Sequence, residues 1–100
     1  MELRQLAMFL TIANCGTFSE AARRLYLSQP TLSVQTASLE KELGVELFER
    51  QGKKLALTPA GQILKRYAAD ILGLKERALQ EIAQYKNTVA GSIQLFASTV

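Results

Sequence analysis

Residues 18–43 read FSEAARRLYLSQPTLSVQTASLEKEL, and the punctuation inside this stretch decides the architecture. Ser28 is a good N-cap, because its hydroxyl can accept a backbone N–H that no preceding turn satisfies; Pro30 is tolerated in a first turn, where its missing N–H would have had no partner. A helix is therefore predicted to open here and to stop at Gly44, a suitable left-handed C-terminal residue. At about 100° per residue, Leu32, Thr36, Leu39 and Leu43 fall on one side, and Pro30, Ser33, Val34, Ala37 and Lys41 on the other. One face packs; the opposite face is small and open. Ahead of it a shorter helix is predicted through Ala21, Ala22 and Leu25, with Ser19 as N-cap and Glu20 in the first turn, where the helix dipole favours an acid. The paired alanines permit close approach by another helix.

Working outward, Leu3, Leu6, Ala7, Leu10 and Ala13 recur at helical spacing, widened by Phe9 and Ile12, so a first amphipathic helix is predicted from Glu2 to Asn14, ended by Gly16. On the other side, Leu47 to Arg50 lead through Gln51 and Gly52 to Lys53, Lys54, Leu55, Ala56 and Leu57, the pattern of a strand, a turn and a strand. Thr58 followed by Pro59 is a strong N-cap and N1 pair that launches a helix reaching about Thr88, before Gly91. At about 1.5 Å per residue that helix is roughly 45 Å long, more than a small domain needs for its own core. Leu64, Ile71, Ala78 and Tyr85 repeat along it every seven residues, with Tyr67, Leu74 and Ile82 beside them, a helix-pairing seam that Lys75 and Glu81 interrupt. Its early turns can pack on the first helix; its later turns have only a second subunit to cover them. Ile93, Leu95 and Ala97 alternate with Gln94, Phe96 and Ser98, which reads as a strand.

The expected fold is mainly α: a winged helix-turn-helix of three helices and a two-stranded wing over residues 1–58, a dimerisation helix over 59–90, and the start of an effector-binding domain over 91–100. Composition agrees with a globular chain, since 48% of its 100 residues are apolar and 21% charged, too many and too few respectively for disorder. There is no apolar run of roughly 20 residues to span a bilayer and no secretory leader at MELRQLAMFLTIA, so no membrane and a cytoplasmic location are expected. The single cysteine, Cys15, has no partner for an internal disulfide and reads as a small core residue; with no histidine either, no metal, no other cofactor and no nucleophile triad is expected. Net charge is only +3, so placement matters more than sum. Arg50, Lys53 and Lys54 cluster around one glycine turn, where a basic tip can meet phosphates, whereas Arg23 and Arg24 read as a solvated helix face.

Two short helices joined by a tight turn, the second opening on small polar residues, meet the physical requirement for a helix entering the DNA major groove. The runs FSEAARRL (18–25), LSQPTLS (27–33), LEKELGVELFER (39–50) and LTPAG (57–61) go beyond that outline and together resemble the LysR family of bacterial transcriptional regulators. The resemblance implies a DNA-binding regulator that acts as a homodimer, or as a tetramer in the full-length protein, with any small-molecule effector held by a C-terminal domain that would start at Gly91. It also implies base contacts from Gln29, Pro30, Ser33 and Val34 of the third helix and from Arg50 and Lys53 of the wing, with Ser28, Thr31 and Thr58 holding phosphates beside Lys54. Two positions depart from the family pattern: Val34 stands where a long polar or basic side chain is common, and Thr36 where an aliphatic one is usual. Val34 has no donor for a base edge and offers only apolar contact with a thymine methyl. The rival reading is a winged helix that dimerises through its long helix and contacts proteins without reading DNA.

Overall fold

The computed structural model describes the backbone of residues 1–96 and the side chains of residues 1–89. Its elements run α1 (Leu3–Cys15), α2 (Phe18–Leu25), α3 (Gln29–Leu43), β1 (Phe48–Gln51), β2 (Lys54–Leu57) and α4 (Pro59–Phe96). The mainly helical fold with a two-stranded antiparallel wing is thus the one expected from the sequence.

The three short helices are bounded by local chemistry. Glu2 N–H donates to Gln5 Oε1 at 3.0 Å to open α1, and Gly16, at φ 79°, closes it by donating its N–H to Ile12 O at 2.9 Å. The N-cap of α2 is Thr17, not Ser19: Thr17 is extended and its Oγ1 accepts the Glu20 N–H at 3.1 Å. The left-handed turn at Gly16 decides this, because it leaves the very next residue in the extended conformation that an N-cap requires. Tyr26 is left-handed at φ 56°, and Leu27 N–H reaches back to Ala22 O at 3.0 Å, which folds the α2–α3 turn back on itself. Ser28 and Gly44 bound α3 as the sequence indicates.

The core has two parts that share α1. Leu6, Phe9, Leu39, Leu47 and Ala68 form one, and Met8, Ile12, Ala21, Ala22 and Leu32 the other, with Phe48 packed against both. Of the predicted packing face of α3, Leu32, Thr36 and Leu39 are buried while Leu43, at the last turn, is exposed. The hairpin pairs Phe48 with Leu57, Glu49 with Ala56, Arg50 with Leu55 and Gln51 with Lys54, and Gly52 takes φ 64° in its turn. It is fixed to the helical body at both ends. Leu55 N–H donates to Gly16 O at 2.8 Å, Glu40 Oε2 accepts Leu47 N–H at 2.6 Å, and Thr58 N–H donates to Leu47 O at 3.0 Å.

The 38 residues of α4 carry the molecule to 63 × 25 × 19 Å. Leu64, Ala68, Ile71 and Leu72 pack its early turns onto the first core cluster, and beyond Gly73 every residue through Thr88 is exposed. The strand expected at Ile93 and Leu95 is replaced by helix through Phe96, with Ala97 to Val100 outside the described residues. A strand must find a neighbour for its N–H and C=O groups, whereas a helix satisfies them internally, so Gly91 lowers helix propensity here without ending the helix. Among the described residues no helix is long and apolar enough to cross a membrane.

Candidate nucleic-acid interface

The site starts at the first turn of α3. Ser28 Oγ accepts the Thr31 N–H at 3.2 Å and lies 2.8 Å from Thr31 Oγ1. The two hydroxyls carry two protons and only one lies between them, so one remains free to donate outward. Gln29 and Pro30, the first residues of the helix, are exposed, as is Val34 one turn on, at 67%. Ser33 is half-buried on the side that faces the wing.

A groove of about 460 Å³ separates α3 from the wing, with Gln29 and Ser33 on one wall, Arg50, Lys53 and Lys54 on another, and Thr17, Phe18 and Ser19 at its end. Five of the residues expected to meet DNA are thereby brought together. Pro30 and Val34 are exposed and do not line the groove. Thr31 instead borders a larger hollow between α1, α2 and α3, of about 770 Å³. Thr58 stands apart at the base of the hairpin: its Oγ1 donates to Glu46 O at 2.6 Å and accepts the Gly61 N–H at 3.0 Å. Its one proton is committed to closing the hairpin onto α4, which leaves none to donate to a phosphate.

Charge is distributed unevenly over this surface. Both Glu20 carboxylate oxygens accept from Arg23 Nη2 at 2.8 Å, and Arg24 Nε lies 3.5 Å away. The Arg23 hydrogen bond, with the charges of Arg23 and Arg24, holds the Glu20 carboxyl below the usual carboxylate range, and the same pairing raises Arg23. Arg50, Lys53 and Lys54 are exposed and make no ion pair within 4.0 Å among the described residues. The wing therefore carries three unpaired cations beside one acid, Glu49, while both arginines of α2 are engaged with Glu20.

Sequence reading missed two supports of this arrangement. Phe18 lies beneath Arg50, whose guanidinium carbon is 5.4 Å from the ring centroid, and Glu40 receives the backbone of Leu47 and Phe48. Neither carries a local signal, since each acts on residues that only the tertiary fold brings near. Among the described residues no group of three His, Cys, Asp or Glu side chains converges as a metal site would require. Of the residues expected along a dimer seam, Leu64 and Ile71 are half-buried against the chain's own core, while Tyr67, Leu74, Ala78, Ile82 and Tyr85 are exposed.

A helix pair with an open second helix, a basic two-stranded wing beside it and a long helix leading away define the winged helix-turn-helix class. The sequence pattern of the bacterial regulatory helix-turn-helix proteins of the lysR family matches residues 3–62. The chain belongs to that family. It is 43% identical over 96 residues to a probable RuBisCO transcriptional regulator of Porphyra purpurea, covering 96% of this chain and 30% of that protein. Among solved structures it resembles the CbnR DBD–DNA complex, with TM-score 0.80 and 38% identity over 86% of this chain and 99% of that one. The BenM DBD with benA site 1 DNA gives TM-score 0.81 and 34% identity over 85% of this chain and 99% of that one. The chain thus spans about a third of the length of the probable RuBisCO transcriptional regulators it matches.

Proposed function

We propose that this chain is the DNA-reading part of a bacterial transcriptional regulator, binding double-stranded DNA as a homodimer with α3 in the major groove and the wing in or beside the minor groove. The observation that carries this reading is the exposed, uncharged face of Gln29, Pro30 and Val34, of which Gln29 shares a groove with a wing whose three cations are unpaired. Cations on a projecting hairpin suit the phosphate backbone, and small side chains on an exposed helix suit close approach to base edges. Support also comes from the relatives named as transcriptional regulators and from the structural neighbours held on DNA. On this reading the protein works in the cytoplasm by binding and not by catalysis, and a small-molecule effector acts through a domain that follows α4. Direct base readout then falls to Gln29, Ser33 and Arg50, with Lys53 and Lys54 fixing register on phosphates and Val34 touching a thymine methyl.

Selection of bound duplexes from a random library tests this reading and supplies the site at once. Two related half-sites about one helical turn apart should be enriched. With the selected duplex, Lys53→Ala and Lys54→Ala should each weaken specific and random binding by similar factors and lower the salt slope by about one. No enrichment over the input at low salt would overturn DNA reading and leave a protein-contact module.

A further inference from the structure

We propose that Phe18 is a positioning residue for the wing, holding the Arg50 guanidinium over its ring so that Arg50 serves base discrimination and not only charge; the inference rests on the DNA-reading function above. The Arg50 guanidinium carbon lies over the Phe18 ring at 5.4 Å, inside the range of roughly 6 Å at which a cation is attracted to an aromatic face. The platform is itself packed against the core. Phe18 packs against the cluster of Met8, Ile12, Ala21, Ala22 and Leu32, and meets Phe48 edge-on at 6.5 Å; Phe48 in turn lies 5.3 Å from Phe9, which is fully buried. The two ends of the stack are also tied through the backbone. Arg50 pairs in register with Leu55, and the Leu55 N–H donates to Gly16 O, two residues before Phe18.

A long cationic side chain on a hairpin ordinarily samples many rotamers, and fixing it on DNA costs that freedom at the moment of binding. The contact removes much of this cost beforehand and holds the planar fork at the groove that Gln29, Ser33 and Arg50 line together. Lys53 and Lys54 have no such support and remain steering charges. The three wing cations therefore divide into one that discriminates and two that attract.

The test compares binding to the library-selected duplex and to random duplex of equal length at fixed salt, with urea unfolding alongside. Phe18→Leu keeps an apolar side chain in the core and removes the ring. It should weaken the selected duplex by roughly 2- to 30-fold, the range a cation–π contact supplies, while random binding and its salt slope hold. Phe18→Tyr keeps a ring and should retain selectivity. Phe18→Leu combined with Arg50→Ala should be no worse than Arg50→Ala alone. Equal weakening on both duplexes, or a double variant that loses the product of the single losses, overturns the proposal. Should Phe18→Leu unfold, Arg50→Lys decides: the charge stays and the fork goes, so selectivity should fall with random binding kept, and full selectivity overturns the proposal. A parent chain that prefers no duplex overturns DNA reading itself, and this inference with it.

Discussion

Two residues on opposite faces of α3, Thr36 and Val34, answer to different surroundings, one to the core and one to the surface. Thr36 is 5% exposed on the packing face, and its Oγ1 has no hydrogen-bond partner among the described residues. An unpaired buried hydroxyl forfeits its hydration, a loss of about 1–3 kcal/mol, so Thr36→Val, which keeps the branched shape, should raise stability by about 1 kcal/mol. A higher urea midpoint at unchanged slope would register it; a lower midpoint would mean that the hydroxyl is bonded in solution. Val34, on the other face, is exposed, and the core should not feel its replacement. Arginine there can pair with guanine O6 and N7, worth roughly 1–3 kcal/mol of discrimination, so Val34→Arg should move preference at one base pair per half-site towards G·C. The ratio of specific to random binding at fixed salt is the quantity to compare, because the added charge also raises non-specific affinity. Unaltered base preferences across a half-site library would require the reading face of α3 to be redrawn.

At the scale of elements, stability of the interface depends on how the hairpin is held against the helices. Glu40, on α3, accepts from the backbone of Leu47 and Phe48, and Gly61 lets the start of α4 lie against Leu47, the residue that leads into β1. A Cβ at Gly61 would collide with the Leu47 carbonyl oxygen and come within 2.9 Å of Leu57 Cδ2. Helix propensity alone favours Gly61→Ala by about 1 kcal/mol, yet a backbone collision cannot be relieved by turning a side chain. The variant should lose about 1–3 kcal/mol net, read as a lowered thermal or urea midpoint, and a gain would show that the strand can shift. The contrast also explains what the sequence disclosed. Ser28, Gly44 and the Thr58–Pro59 pair are legible because a cap acts within four residues of itself, and the α3 faces because periodicity is local. Thr17 and Ser19 are chemically equivalent caps until the left-handed Gly16 chooses between them. The Phe18–Arg50 stack joins residues 32 positions apart in the chain, so no local pattern announces it.

The whole molecule is governed by a disproportion: a body built on α1 to α3 uses only the early turns of α4, and the remainder extends the long axis to 63 Å with its apolar side chains from Leu74 to Tyr85 uncovered. Heptad spacing marked Leu64 and Ile71 as seam residues, but a repeat in sequence cannot tell an intramolecular partner from a second subunit, and both are half-buried against the chain's own core. The partner-seeking stripe is better placed on Leu74, Ile82 and Tyr85, exposed at 60%, 61% and 64%. Charges introduced there should leave the core intact and act on assembly alone. For Leu74→Asp combined with Ile82→Asp, urea unfolding of the winged domain should be nearly unchanged while sedimentation shifts from dimer to monomer. Dimerisation turns occupation of the second half-site into an intramolecular event, with effective concentrations on the order of millimolar for short tethers. Loss of the dimer should therefore weaken binding to a two-half-site duplex by roughly 100-fold or more, with affinity for an isolated half-site preserved. A loss on the isolated half-site of the same size would place the defect in the reader itself. A parent chain that sediments as a monomer at every concentration would remove the seam from the functional argument.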